Sequence, residues 1–209
     1  MRKHWLKLFV AVTMACSTAS VQADLVNGDV EGGTGLADIP GWLSWGPSGA
    51  LEGSYAHSGA QCVRLWWDDT GLFQNFSVIG GQTYTASGYL YTPTSERYTW
   101  DVGNNTYASL KLEWYQADGV TSAGPGIETT RFTPDDLADV WAFRSISGAA
   151  PASATIGRMV LAIGGSGPAS GTVAFDSLSA VAAVPEPSTM AFLVTSLVGL
   201  PMLLRRRKA

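Results

Sequence analysis

The chain has 209 residues, of which 46% are hydrophobic and only 14% charged, with 24 Gly and 10 Pro. Soluble domains average about 25% charged residues, so long charged helices and charge-driven disorder are excluded, and one turn-rich, all-β, extracellular type of domain fits. The formal net charge is −4, but seven of the 13 basic residues lie in the first seven and last five positions. Between Asp24 and Val184 six basic residues face 16 acidic ones, and a net charge of −10 argues against a nucleic-acid partner.

Residues 1–23 open with Arg2 and Lys3, continue through Leu8-Phe9-Val10-Ala11-Val12 and close on Val21-Gln22-Ala23. A basic start, a short apolar run and a small-residue end read as a secretory signal peptide cut before Asp24. The apolar run is too short to span about 30 Å of hydrocarbon. Cys16 leaves with the leader, so Cys62 is the one cysteine of the mature chain and an intrachain disulfide is impossible.

Residues 24–180 read as a single β-sandwich domain. Apolar residues alternate at period two in Val63-Leu65-Trp67, Tyr84-Ala86-Gly88, Leu110-Leu112-Trp114, Met159-Leu161-Ile163 and Val173-Phe175, and Phe76-Val78 and Phe143 extend the series. Turns are expected at Ser58-Gly59, Gly80-Gly81, Asp118-Gly119 and Gly164-Gly165. Thr133 caps one short helical turn over Pro134 to Asp139. The polar, Gly-rich stretches 95–106 and 118–132 read as loops, where recognition commonly sits.

Nineteen aromatic residues lie between Asp24 and Val184, more than one core needs. Strand parity puts Trp67, Tyr84 and Trp114 with the apolar set and Trp66, Tyr89, Tyr91 and Tyr115 on the opposite side, with Trp100 in a loop. Flat rings beside polar groups suit a sugar, whose ring has an apolar face and a hydroxyl rim. Arg64, Trp66, Tyr89, Tyr91, Trp100 and Tyr115 are therefore the candidate ligand-binding residues.

No catalytic residue is assigned and the chain is read as a non-enzyme. His57 and Cys62 have no evident partner, and Asp68-Asp69 and Asp135-Asp136 are adjacent, whereas glycoside hydrolysis needs carboxyls facing each other across a cleft. The alternatives are a purely structural biofilm or surface protein without a sugar site and, behind it, a small polysaccharide lyase or hydrolase.

The C-terminal end runs through a linker at 181–189 containing Pro185-Glu186-Pro187, an apolar membrane helix at 190–204, and a basic cytoplasmic tail at 205–209 led by Arg205, Arg206 and Arg207. A Pro-Glu-Pro tripeptide, a short apolar helix and an arginine cluster closely resemble the PEP-CTERM sorting signal of Gram-negative bacteria that make exopolysaccharide. That resemblance implies transient anchoring in the inner membrane, cleavage by an exosortase near Pro185-Glu186-Pro187, and transfer to the cell surface or extracellular matrix, with exopolysaccharide as a partner.

The domain itself resembles the galactose-binding-like jelly roll of carbohydrate-binding modules. The matching pieces are Leu25-Val26-Asn27-Gly28-Asp29-Val30-Glu31, Gly41-Trp42, His57-Ser58-Gly59, Gly80 to Ser87, Trp141, Ala150-Pro151 and Val173 to Leu178. The resemblance implies a non-catalytic sugar-binding sandwich and a structural calcium held by Glu31 and Asp176, with carbonyls of the turn around Tyr55 to Ser58 completing its shell. Val30 stands where that family has phenylalanine.

Overall fold

A computed structural model describes residues 25–46, 48–66, 70–100, 103, 105–164 and 171–183. The expected signal helix, Trp67, Asp68-Asp69, the Gly165 half of the last expected turn, the Pro-Glu-Pro linker and the apolar sorting helix lie outside these residues. Ten strands are present: β1 (Leu43–Trp45), β2 (Gly49–Glu52), β3 (Cys62–Trp66), β4 (Thr70–Ser77), β5 (Thr83–Tyr91), β6 (Tyr107–Tyr115), β7 (Ser122–Glu128), β8 (Ala142–Ala149), β9 (Ile156–Gly164) and β10 (Thr172–Ala182).

They form two antiparallel five-stranded sheets. Sheet A has the order β1-β4-β9-β6-β7 and sheet B the order β2-β3-β10-β5-β8. Period-two alternation sends one set of side chains into the space between the sheets. Leu72, Phe76, Leu110, Leu112, Trp114, Met159 and Leu161 enter from sheet A, and Val63, Leu65, Tyr84, Leu90, Val173 and Phe175 from sheet B. The expected sets of β5, β6, β9 and β10 point inward, as do Val63 and Leu65 of β3, Trp67 lying outside the described residues. Phe143, expected to extend the apolar series, instead points outward from β8 and is 54% exposed, because the inward positions of that strand are Ala142, Arg144, Ile146 and Gly148.

The expected loop at 118–132 is corrected in part, because β7 lies within it. Its Gly124-Pro125-Gly126 run carries no apolar alternation, and the strand tolerates Pro125 because it sits at the edge of sheet A. The turn leading into it is as expected: Asp118 accepts from the Val120 and Thr121 amides at 2.9 and 2.8 Å, and Gly119 takes φ +69°. Residues 133–139 form a turn without a regular helix.

The segment before β1 is fixed by polar contacts at the edge of the core. Gln74 accepts from the Val26 amide at 2.6 Å and donates to the Val26 and Gly41 carbonyls, each at 2.8 Å. The Trp42 indole donates to the Asn27 carbonyl at 2.9 Å. These bonds seat Val30, Leu36 and Ile39 in the core. In β10 an irregularity between Asp176 and Ser179, with Ser177 at φ +50°, turns Leu178 inward while Asp176 stays on the outer face.

Candidate functional site

The six candidate sugar-binding residues are divided among four places. Arg64 and Trp66 lie on the outer face of sheet B, beside a cavity of about 480 Å³. Tyr89 and Tyr91 lie on the same face, under the turn before β3. There His57 stacks on Tyr89 with centroids 3.8 Å apart, and Tyr55 and Trp141 pack at 5.5 and 5.0 Å from Tyr91. Both tyrosines are half-buried in this ring cluster, and Tyr89 also packs against the exposed Phe143 at 5.1 Å. Trp100 belongs to a connection and donates to Asp135 at 3.4 Å. Tyr115 is on the outer face of the other sheet, so it cannot share one ligand ring with Trp66.

Tyr115 has partners the sequence did not reveal. The Arg158 guanidinium lies 4.1 Å from the Tyr115 ring centre and 4.5 Å from that of Phe73. It is held there because it donates to Asn75 at 2.8 Å and to the Gly119 carbonyl at 3.1 Å. Across the face, Arg131 covers the Tyr107 ring at 3.7 Å and Lys111 approaches it at 5.8 Å.

Strand register arranges these groups around a row of small side chains. Trp45 pairs with Gly71, Gly71 with Ala162, and Ala162 with Ser109. Two interstrand steps of about 4.8 Å make the row from Gly71 to Ser109 roughly 10 Å long, running across the strands with Trp45 at its end. Glycine is required at both margins: a Cβ on Gly71 would collide with the Trp45 ring and the Leu161 carbonyl, and one on Gly164 would lie 2.6 Å from the Tyr107 ring. The Trp45 ring lies over Gly71 and the Tyr107 ring against Gly164, and Gly71, Ala162 and Ser109 are buried in the floor of this ring-lined trough. The Ser109 hydroxyl is buried beside it without a hydrogen-bond partner, and a buried Glu128 carboxylate oxygen lies 3.6 Å from the Arg131 guanidinium.

Glu31 and Asp176 both meet the segment before β3. Glu31 accepts from the Ala60 and Gln61 amides at 2.7 and 3.0 Å, and Asp176 from the His57 and Ser58 amides at 2.7 and 3.0 Å. These partners are N–H donors, whereas calcium takes oxygens. Among the described residues no three His, Cys, Asp or Glu are grouped to hold a metal. Asp176 is fully buried, and burial together with the Asp29 charge pushes its carboxyl up, against the opposing Ser58, Ser177 and His57 amides.

The other reactive side chains are engaged. The His57 Nδ1 is 2.9 Å from the Ser177 hydroxyl. Burial, with Asp176 and Glu52 nearby, pushes the Cys62 thiol up to about 12. Asp136 pairs with Arg144 at 2.6 Å.

Residues 183–208 match the PEP-CTERM protein-sorting motif, which marks an exported protein with a C-terminal sorting tail. No helix of the described residues is long and apolar enough to cross a membrane. No curated protein sequence matches the chain. Among solved structures, the C-terminal family 22 carbohydrate-binding module of Clostridium thermocellum Xyn10B aligns at TM-score 0.51 and 15% identity, over 77% of this chain and 99% of that one. The CBM22-1 xylan-binding domain of Paenibacillus barcinonensis Xyn10C aligns at 0.50 and 14%, over 78% and 97%. The enzymatically active domain of bacteriophage CBA120 tailspike protein 4 aligns at 0.53 and 10%, over 75% of this chain, which spans only 21% of the tailspike. The sandwich is thus the jelly roll of carbohydrate-binding modules, a fold that enzymes also contain.

Proposed function

We propose that this chain is an exported, non-catalytic glycan-binding protein, released from its tail by an exosortase and associated with exopolysaccharide at the surface of a Gram-negative-type cell. The observation that carries the reading is the trough on sheet A. A row of small side chains crosses the strands between Trp45, Phe73, Tyr107 and Tyr115, with the Arg158 and Arg131 guanidinium groups over the rings and the buried Ser109 hydroxyl lacking a partner. Rings take the C–H faces of sugars, and the polar groups take their hydroxyls. Its elongated form suits a segment of polymer. The test is affinity electrophoresis of the intact chain through gels containing neutral and acidic polysaccharides. Retardation by one polymer class supports the reading, and free migration of folded protein through all of them contradicts it.

A structural calcium at the chain ends is a separate proposal, supported by the fully buried Asp176 carboxylate and the nearby Asp29 charge. Asp176 and Glu31 would hold the ion, whose contribution is to neutralise their charge and tie β10 to the segment before β1.

A further inference from the structure

The cavity beside Arg64 and Trp66 lies on the side of the sandwich opposite the trough, and neither the trough nor the calcium proposal uses it. Register sets Thr172 of β10 next to Trp66 of β3. A strap over residues 93–98 forms the remaining wall. It passes so close to β10 that a Cβ on Gly171, at φ +94°, would collide with the Arg97 carbonyl. The strap is fixed at both ends, because the Thr94 amide donates to Asp139 at 2.9 Å and the Tyr98 amide donates to the Thr92 hydroxyl at 3.0 Å.

The strap brings Glu96 to Arg64, with a 3.0 Å ion pair, and Glu52 stands 3.9 Å away on the other side. The guanidinium also lies 5.6 Å from the Trp66 ring centre. Arg64 and Arg97 balance Glu52 and Glu96, so the charges close to the cavity cancel. Two polar atoms of its lining remain without partners: the Arg64 Nε–H and the Thr172 hydroxyl, the latter on a residue only 5% exposed. A buried polar group that has lost water and gained no partner is unfavourable, so its retention here calls for a ligand.

We infer that this cavity is a second sugar site, taking one or two rings of a neutral glycan. Its volume of about 480 Å³ falls within the roughly 300–1,000 Å³ of small-molecule pockets. The Arg64 Nε–H supplies a donor to one ring hydroxyl, Thr172 and Glu96 receive a neighbouring hydroxyl, and the Trp66 indole takes the C–H face. Cancelling charges select a neutral sugar over a uronate. The inference stands apart from the trough, since no side chain is shared.

The test is titration of the full-length chain with the methyl glycosides of xylose, glucose, galactose and mannose, and with glucuronic acid, followed by saturation-transfer NMR and calorimetry. At least one neutral glycoside binds. Thr172→Val, which keeps the shape and removes the unpartnered hydroxyl, weakens that affinity about 5-fold without lowering the melting temperature. Trp66→Ala weakens it about tenfold; if that variant does not fold, Thr172→Val alone decides. Binding that survives Thr172→Val but is lost in Trp45→Ala would move the sugar to the trough, overturning the second site and leaving the proposed function intact. Absence of binding by every neutral glycoside, or a preference for glucuronic acid, also overturns the inference.

Discussion

At the residue scale, burial decides which groups are chemically available. With its thiol pushed up to about 12, Cys62 carries on the order of one thiolate in 10⁵ molecules at pH 7. It should resist thiol reagents in the folded chain and react once the chain is unfolded in urea. Peptide mapping distinguishes it from Cys16, and rapid labelling of native Cys62 would contradict its placement. Asp176 shows the opposite use of burial. Its raised carboxyl means that keeping it charged at neutral pH costs stability, and the proposed calcium would offset that cost. A ligand that binds only the folded state adds RT ln(1 + [L]/Kd), about 2.7 kcal/mol at 100 times Kd. Metal-stripped protein in chelator should therefore melt roughly 5–10 °C below protein in saturating calcium. Superimposable melting curves would remove Glu31 and Asp176 as calcium ligands.

At the scale of elements, the strap over residues 93–98 depends on one carboxylate. Asp139 accepts from the Thr94 hydroxyl and amide and from the Tyr91 hydroxyl, and these bonds, that of the Thr94 hydroxyl foremost, hold its carboxyl below the usual range. A depressed folded value gives stability that is present above the unfolded value of about 3.8 and lost as pH falls through the folded one. Urea melts should show an advantage of the wild type over Asp139→Asn at pH 5 to 7 that shrinks below pH 3.8; a difference independent of pH would break the assignment. The same scale shows what the sequence can carry. β3, β5, β6 and β9 alternate large apolar residues and are legible at once. β1 and β2 are too short for a period to register, β7 is written in Gly, Ser and Pro, and the inward side of β8 is Ala142, Arg144, Ile146 and Gly148. The site was legible to the same degree. Parity correctly put Arg64, Trp66 and Tyr115 outward, but parity tells which side of its own strand a residue takes and not which sheet that strand joins. Trp45, Phe73, Tyr107, Arg131 and Arg158 meet only through the pairing of β1, β4, β9 and β6, strands far apart in the chain, and no local pattern announces that pairing.

At the scale of the whole molecule, the sandwich separates its tasks by face. Sheet A presents the trough, sheet B presents the ring cluster, the buried Asp176 and the second cavity, and the matched sorting motif occupies the C-terminal end. The domain's negative charge and the paired guanidinium groups on sheet A both favour recognition through rings and hydroxyls over recognition of a polyanion. The central claim is that the trough holds the glycan, and the most direct measurement compares wild type with Trp45→Ala by calorimetric titration against the polysaccharide that retards the wild type most. The account predicts at least a tenfold loss of affinity with the melting temperature kept within a few degrees, because Trp45 lies on the outer face and leaves the inter-sheet core unchanged. Unaltered affinity in a folded Trp45→Ala protein would contradict it.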